Sequence, residues 1–359
     1  MENRLPKQGR KMGFIDRFLT LWIFLAMALG LAIGNWFPDG VSRISSVSKG
    51  TTNIPLAVGL ILMMYPPLVK VKFSGLRSVF KDVRILSLSL VLNWLVGPLL
   101  MFFLAVIFLR DQPEYMSGLI LIGVARCIAM VVVWNDLAGG SRDYAAGLIA
   151  LNSIFQVFVY GFMAYFFIAV VPVWFGLKGY SIDISIWDTA STVGIYLGIP
   201  FFLALFSRSV FIKFFGEKWF SEKFLPFISP LTLIALLSTI VVMFSMKGGL
   251  ILQIPMDAIR IAIPLLLYFA IMFSISMLLS RYTGSDYPRA ASVAFTAAGN
   301  NFELAIAVAI GVFGVNSGQA FTGVIGPLVE VPALIVLVHL SKLIEKRFYK
   351  PVKNIQETK

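Results

Sequence analysis

Ten apolar stretches, each close to the length that crosses a bilayer, decide what this chain can be. A membrane span needs about 20 mostly apolar residues. Runs of that kind cover 18–37, 53–69, 85–109, 117–138, 147–175, 189–212, 228–246, 257–280, 288–315 and 320–343. Composition agrees: 58% of the 359 residues are hydrophobic and 13% charged, against roughly 45–50% apolar and about 25% charged in a soluble domain. The expected fold class is an all-α integral membrane protein with ten transmembrane helices, because helices satisfy their own backbone groups in lipid. The first run continues from Phe18 to Phe37 without a small-residue cleavage site, so it reads as a retained span and not a signal peptide.

The formal charge of +12 raises nucleic acid as a partner, but the basic residues sit in short segments between the apolar runs. With the N-terminus in the cytoplasm, 23 of the 30 Lys and Arg fall in cytoplasmic segments and 6 in external ones, with Arg126 left inside a run. The positive-inside rule expects such a split. The lipid bilayer therefore accounts for the charge, nucleic acid is not expected, and both termini are expected on the cytoplasmic side of the cell membrane.

The runs divide the chain into a cytoplasmic segment 1–17, a first five-helix repeat 18–175, a second 176–343 and a cytoplasmic tail 344–359. Five is odd, so a second copy would enter the bilayer upside down, which makes a five-plus-five inverted repeat. Faint similarity agrees: Asn53-Ile-Pro55-Leu opens run two as Ile228-Ser-Pro230-Leu opens run seven, and Tyr115 and Tyr287 open runs four and nine. Counting twelve residues on from each tyrosine sets Cys127 opposite Gly299.

One cysteine, Cys127, and one histidine, His339, exclude an internal disulfide, a multi-cysteine metal site and a histidine cluster. No cofactor is expected. The fourteen methionines are scattered through the runs as apolar filler, so copper is not expected either. Cys127 follows Arg126 inside run four; a fixed cation encourages a thiol to ionise, and an arginine at membrane depth is expensive. Run nine carries Gly299-Asn300-Asn301 at its middle, which loosens the helix there, and carbonyls so freed are tolerated only against protein or a water-filled cavity. Interrupted helices in corresponding positions of two halves point to a transporter's site at the midplane. One site is therefore expected where runs four and nine meet.

Glu303, in an otherwise apolar helix, is functional by default. Glu330, between Pro327 and Pro332, which are expected to open the backbone, is a second proton-accessible position. Arg126 either contacts substrate or neutralises Glu303 or Glu330 as an ion pair. Asn300 and Asn301 either touch ligand or cap half-helix ends. Asn93 and Asn152 are candidates for supporting hydrogen bonds between helices. Asp136, Asp143 and His339 lie toward the ends of runs and need no special role.

Several of these residues stand in motifs that resemble a known family. The motifs run from Leu19 to Gly30, from Asn93-Trp94 to Pro98, from Gly123 through Arg126-Cys127 to Trp134-Asn135, from Pro230 to Leu237, and from Phe295 through Asn300-Asn301 and Glu303 to Leu304. In them the chain resembles the arsenite efflux permeases of the arsenical-resistance-three family, within the superfamily of bile-acid and sodium symporters. The resemblance implies a ten-helix fold with broken, crossing helices 4 and 9, a scaffold of spans one, two, six and seven, and a moving core of the rest. It also implies export of arsenite by proton-coupled antiport, conferring arsenical resistance, with Cys127 and Glu303 needed for transport. It does not separate antimonite from arsenite.

The chemistry fits that substrate. Arsenous acid is uncharged near neutral pH and presents a soft centre ringed by hydroxyls, so Cys127 would act as the arsenic ligand while amides and a carboxylate bond the hydroxyls. The expected substrate set is Cys127, Arg126, Asn300, Asn301 and Glu303, with Glu303 and Glu330 carrying protons. The nearest rival is a sodium-coupled symporter of an organic anion on the same fold, in which acids and amides bind the hard cation and Arg126 faces the anion. A membrane-embedded enzyme using Cys127 as nucleophile would need a base within reach, but the one histidine, His339, lies far along run ten and no paired-aspartate phosphate motif appears.

Overall fold

The computed structural model describes residues 18–37, 48–49, 52–177, 185–245 and 254–349. The expected N-terminal segment 1–17 and the tail beyond 349 lie outside the described residues. The described chain is almost entirely helical. In order it forms α1 (Leu19–Trp36), α2 (Ile54–Val69), α3 (Val83–Leu109), α4 (Pro113–Val124), α5 (Val131–Ala138), α6 (Arg142–Trp174) and α7 (Ile186–Val193). Then follow α8 (Ile199–Trp219), α9 (Leu225–Ser245), α10 (Ile254–Tyr282), α11 (Tyr287–Ala298), α12 (Phe302–Phe313) and α13 (Gly318–Phe348). Five helices are long and apolar enough to cross a membrane: Val83–Leu109, Arg142–Trp174, Ile186–Ser245, Pro255–Tyr282 and Gly318–Phe348. Shorter apolar helices make up α1, α2, α4 and α12.

Local chemistry sets the helix ends. Asp82, Ser141, Asp286, Asn301 and Ser317 each place a side-chain oxygen on a backbone N–H of the turn that follows, opening α3, α6, α11, α12 and α13. Each such cap is worth about 1 kcal/mol. Gly139, at φ 80°, closes α5 in the left-handed conformation, which a side chain would disfavour. The stretch Ile186–Ser245 turns back on itself at Gly216, φ 83°. Aromatic rings close that corner, with Phe215 stacked on Trp219 at 4.6 Å and Phe211 edge-on to Phe224 at 4.7 Å.

Two groups of helices result. α1, α2, α8 and α9 pack on one another, and α3 to α6 pack with α10 to α13. α1 and α9 approach closely because Gly30 has no side chain: a Cβ there would stand 2.6 Å from the Val241 carbonyl oxygen. Small residues at such crossings are how helices pack in lipid. The groups meet where α12 and α13 face α2 and α1.

Pro327 and Pro332 do not open α13, which runs unbroken from Gly318 to Phe348. Each proline only frees the carbonyl one turn earlier, a loss that a helix packed among neighbours tolerates. The feature that does interrupt helices lies elsewhere, in the gaps between α4 and α5 and between α11 and α12.

Candidate functional site

α4 stops because Ala125 is extended (φ −80°, ψ 118°), and α11 stops because Gly299 is (φ −74°, ψ 148°). The two gaps lie against each other as a short antiparallel bridge in which Arg126 pairs with Asn300. Cys127 N donates to Gly299 O at 3.3 Å, and Asn301 N donates to Ala125 O at 3.1 Å. Each break thus satisfies backbone groups that the other exposes, as an interrupted helix in an apolar setting requires.

Side chains complete the joint. Asn300 Nδ2 donates to Ile122 O at 2.8 Å and to Ala125 O at 3.2 Å, closing the frayed end of α4. Asn301 Oδ1 accepts from Leu304 N at 3.0 Å, which starts α12. Arg126 N donates to Gln156 Oε1 at 3.1 Å, and Tyr160 OH to Leu121 O at 3.1 Å.

Successive residues of an extended chain point to opposite sides, and here the two sides differ. On one, the Arg126 guanidinium is fully buried and donates through Nη1 to Tyr268 OH at 2.8 Å and Ala297 O at 3.4 Å. On the other, Cys127 opens into a small cavity. Asn300, Asn301, Glu303 and Glu330 share its wall, together with Met130, Phe302, Pro327 and Leu236. Glu330 Oε1 accepts from Asn300 N at 3.3 Å. Glu303 stands in the first turn of α12, where the helix dipole favours negative charge. Leu236 belongs to α9 and the other wall residues to the second group, so the cavity lies between the two groups.

Five of the expected site residues therefore meet around one space. Arg126 does not face it: neither Glu303 nor Glu330 forms an ion pair with the guanidinium, and its partners are a tyrosine hydroxyl and a carbonyl. Asn152 Oδ1 accepts from Trp94 Nε1 at 3.3 Å, joining α6 to α3. Asn93, within a widened turn at Leu92–Val96, turns back onto its own helix and donates to Ser89 O at 2.8 Å. Asp136 pairs with Arg142 at 2.8 Å, and His339 contacts the Ile335 carbonyl. Sequence reasoning passed over Gln156, Tyr160 and Tyr268. Gln156 could have been found as an amide inside the apolar sequence Ile154 to Val157, whereas nothing marks the two tyrosines apart from other membrane aromatics.

Residues 57–254 match the Sodium Bile acid symporter family. The chain is 47% identical over 329 residues to the arsenical-resistance protein Acr3 of Corynebacterium glutamicum, covering 92% of this chain and 89% of that one. The chain belongs to the arsenical-resistance branch of the bile acid symporter family. A second Acr3, of Alkaliphilus metalliredigens, is 31% identical over 345 residues, 93% of this chain and 94% of its own. An uncharacterised transporter of Synechocystis is 34% identical over 356 residues, 94% and 90% of the respective chains. This family membership makes the chain a multi-pass membrane transporter of the arsenical-resistance kind, and among the described residues no group of three acidic, cysteine or histidine side chains is placed to hold a metal ion.

Proposed function

We propose that the chain exports arsenite from the cytoplasm in exchange for protons, and that the Cys127 cavity is where the substrate binds. One observation carries the reading: a lone thiol, two carboxyl groups and two amides line a single space beside two interrupted helices. A soft arsenic centre would meet Cys127, and its hydroxyls would meet Asn300, Asn301 and Glu303. A single sulfur ligand holds the cargo without trapping it. Asn300 and Asn301 already spend atoms on the helix ends, so each serves the joint and the cavity together.

Ten spans in two inverted halves, with both termini in the cytoplasm, give this site access to each side of the cell membrane in turn. The excess of basic residues in alternate segments supports that sidedness, and the separate packing of α1, α2, α8 and α9 supports a scaffold against which the rest moves. In the cycle, arsenite enters from the cytoplasm, leaves outside as a neutral solute, and a proton taken by Glu303, with Glu330 beside the same space, accompanies the return. Each inward proton draws about 2.3 kcal/mol per 100 mV from the membrane potential. The thiol here binds a cargo, and nothing in the proposed cycle breaks a bond of a substrate as an enzyme would.

Arsenite uptake into inverted vesicles under an imposed proton gradient tests the reading. Cys127→Ala is expected to abolish uptake. Full uptake by that variant removes the thiol, and with it the proposed site.

A further inference from the structure

The family's description brings a coupling sodium ion with it, and the helix crossing offers such an ion a place. Carbonyls at the C-terminal ends of interrupted helices carry partial negative charge and coordinate small cations in transporters built this way. Two such ends, those of α4 and α11, converge on the bridge between Arg126 and Asn300.

In this chain protein donors occupy several of those carbonyls. Leu121 O takes the Tyr160 hydroxyl, Ile122 O and Ala125 O take the Asn300 amide, and Gly299 O takes the Cys127 N–H. Ala297 O, at the end of α11, takes both Arg126 Nη1 and the Tyr268 hydroxyl at 3.4 Å. The guanidinium is fully buried, its Nε and Nη2 find no partner among the described residues, and no carboxylate there pairs with it. An arginine stays charged, so a sodium ion at the crossing would sit beside a like charge in a medium that screens poorly. The residues at the crossing do not fit a sodium ion.

Space is set aside for the guanidinium. A Cβ on Gly97 would stand 2.8 Å from Arg126 Nη1 and 3.0 Å from the Tyr268 hydroxyl. Gly97 directly follows the widened turn Leu92–Val96 in α3, a kind of irregularity that recurs at functional sites. Three helices and one missing side chain thus surround a single fixed charge.

We infer that Arg126 is a tethered replacement for the coupling cation: its guanidinium, fastened by Tyr268 and the Ala297 carbonyl, permanently supplies the positive charge that a sodium-coupled relative takes from solution. The crossing is then held closed at all times, and transport is sodium-independent. This goes beyond the proposed arsenite cycle, and the first part of its test contains no arsenic.

Purified full-length protein is melted in sodium chloride and in choline chloride of equal ionic strength, with and without millimolar guanidinium. Wild type is expected to melt at one temperature in both salts. Arg126→Ala is expected to melt lower by on the order of 5 °C, the scale of losing charge-assisted hydrogen bonds in a chain of this size, and to recover part of that with guanidinium or sodium but not with choline. Arg126→Lys, which keeps a charge, is expected to show no such response and decides the matter if Arg126→Ala does not fold. Stabilisation of wild type or Arg126→Lys by sodium over choline overturns the inference. So does an Arg126→Ala protein that melts like wild type, or a weakened one that no small cation restores. In the second part, wild-type arsenite uptake is expected to be unchanged when choline replaces sodium. Absence of any uptake defeats the arsenite reading and leaves the melting result standing, whereas uptake that requires sodium defeats the inference.

Discussion

Arg126 and Asn300 face each other across an antiparallel bridge, so the two interrupted helices are tied together by main chain at the point where each lacks its own hydrogen bonds. Asn300 adds side-chain donors to the same carbonyls. Asn300→Ala is expected to cost about 1–3 kcal/mol, the penalty for stranding buried acceptors, read as a lower melting temperature of the purified protein. Asn300→Asp is expected to be worse, because an acceptor then faces the Ile122 and Ala125 oxygens.

Gly299 tests the cavity without touching its polar groups. A Cβ at that position would stand 3.0 Å from the Cys127 Cβ, 3.2 Å from Phe295 O and 3.5 Å from Glu330 Oε1. The backbone there suits any residue, so the damage is crowding alone. Gly299→Ala is expected to displace Cys127 by a few tenths of an ångström and to reduce arsenite transport by roughly tenfold, short of the roughly hundredfold that a 1 Å misplacement costs a positioned site. Overpacking costs stability about 1–3 kcal/mol, so vesicle uptake normalised to folded protein separates the two effects.

Glu303→Gln removes a proton carrier while keeping hydrogen-bonding capacity. Wild-type vesicles held at 100 mV are expected to concentrate arsenite up to roughly fifty-fold, from about 2.3 kcal/mol per proton and about 1.4 kcal/mol per decade. The variant is expected to show no accumulation, while arsenite-for-arsenite exchange at zero potential continues. Glu330→Gln retains an oxygen to accept from Asn300 N, so it is expected to fold normally, and its accumulation measures how much of the proton traffic Glu330 carries.

A surface ion pair gives the contrasting case. Arg260 donates to Asp111 at 2.6 Å, and that hydrogen bond holds the Asp111 carboxyl below the usual carboxylate range. A carboxyl lowered in this way contributes stability above its unfolded value of about 3.9 and loses it as pH falls through the lower folded value. Both groups are partly exposed to solvent, where such pairs contribute little. Asp111→Asn is therefore expected to leave arsenite uptake unchanged from about pH 5.5 to 8 and to lower melting only slightly there, with the difference from wild type disappearing in acid below about pH 4.

Much of this was legible in the sequence because lipid allows few solutions. The apolar runs coincide with helices, and the breaks at Ala125 to Met130 and at Gly299 to Asn301 stand where a polar or flexible residue interrupts an apolar helix. Cys127 and Glu303 could be singled out as costly residues at membrane depth. The side of the bridge that each residue faces could not. Arg126 and Cys127 are neighbours in sequence, and only the extended backbone between two helix ends sends one toward Tyr268 and the other into the cavity. The expected opening at Pro327 and Pro332 failed for a related reason: whether a proline breaks a helix depends on its neighbours in space. Tyr268 and Gly97 carry meaning only through Arg126, from which they are distant in sequence.

The joint itself is made of amides. Cys127 N to Gly299 O and Asn301 N to Ala125 O persist through almost any replacement of the side chains they carry, proline at 127 or 301 being the obvious exception. Cargo preference, by contrast, is written in the atoms that protrude from that ribbon. Recognition can drift by single substitutions while the hinge stays intact, a division that would let one framework be retuned from one solute to another.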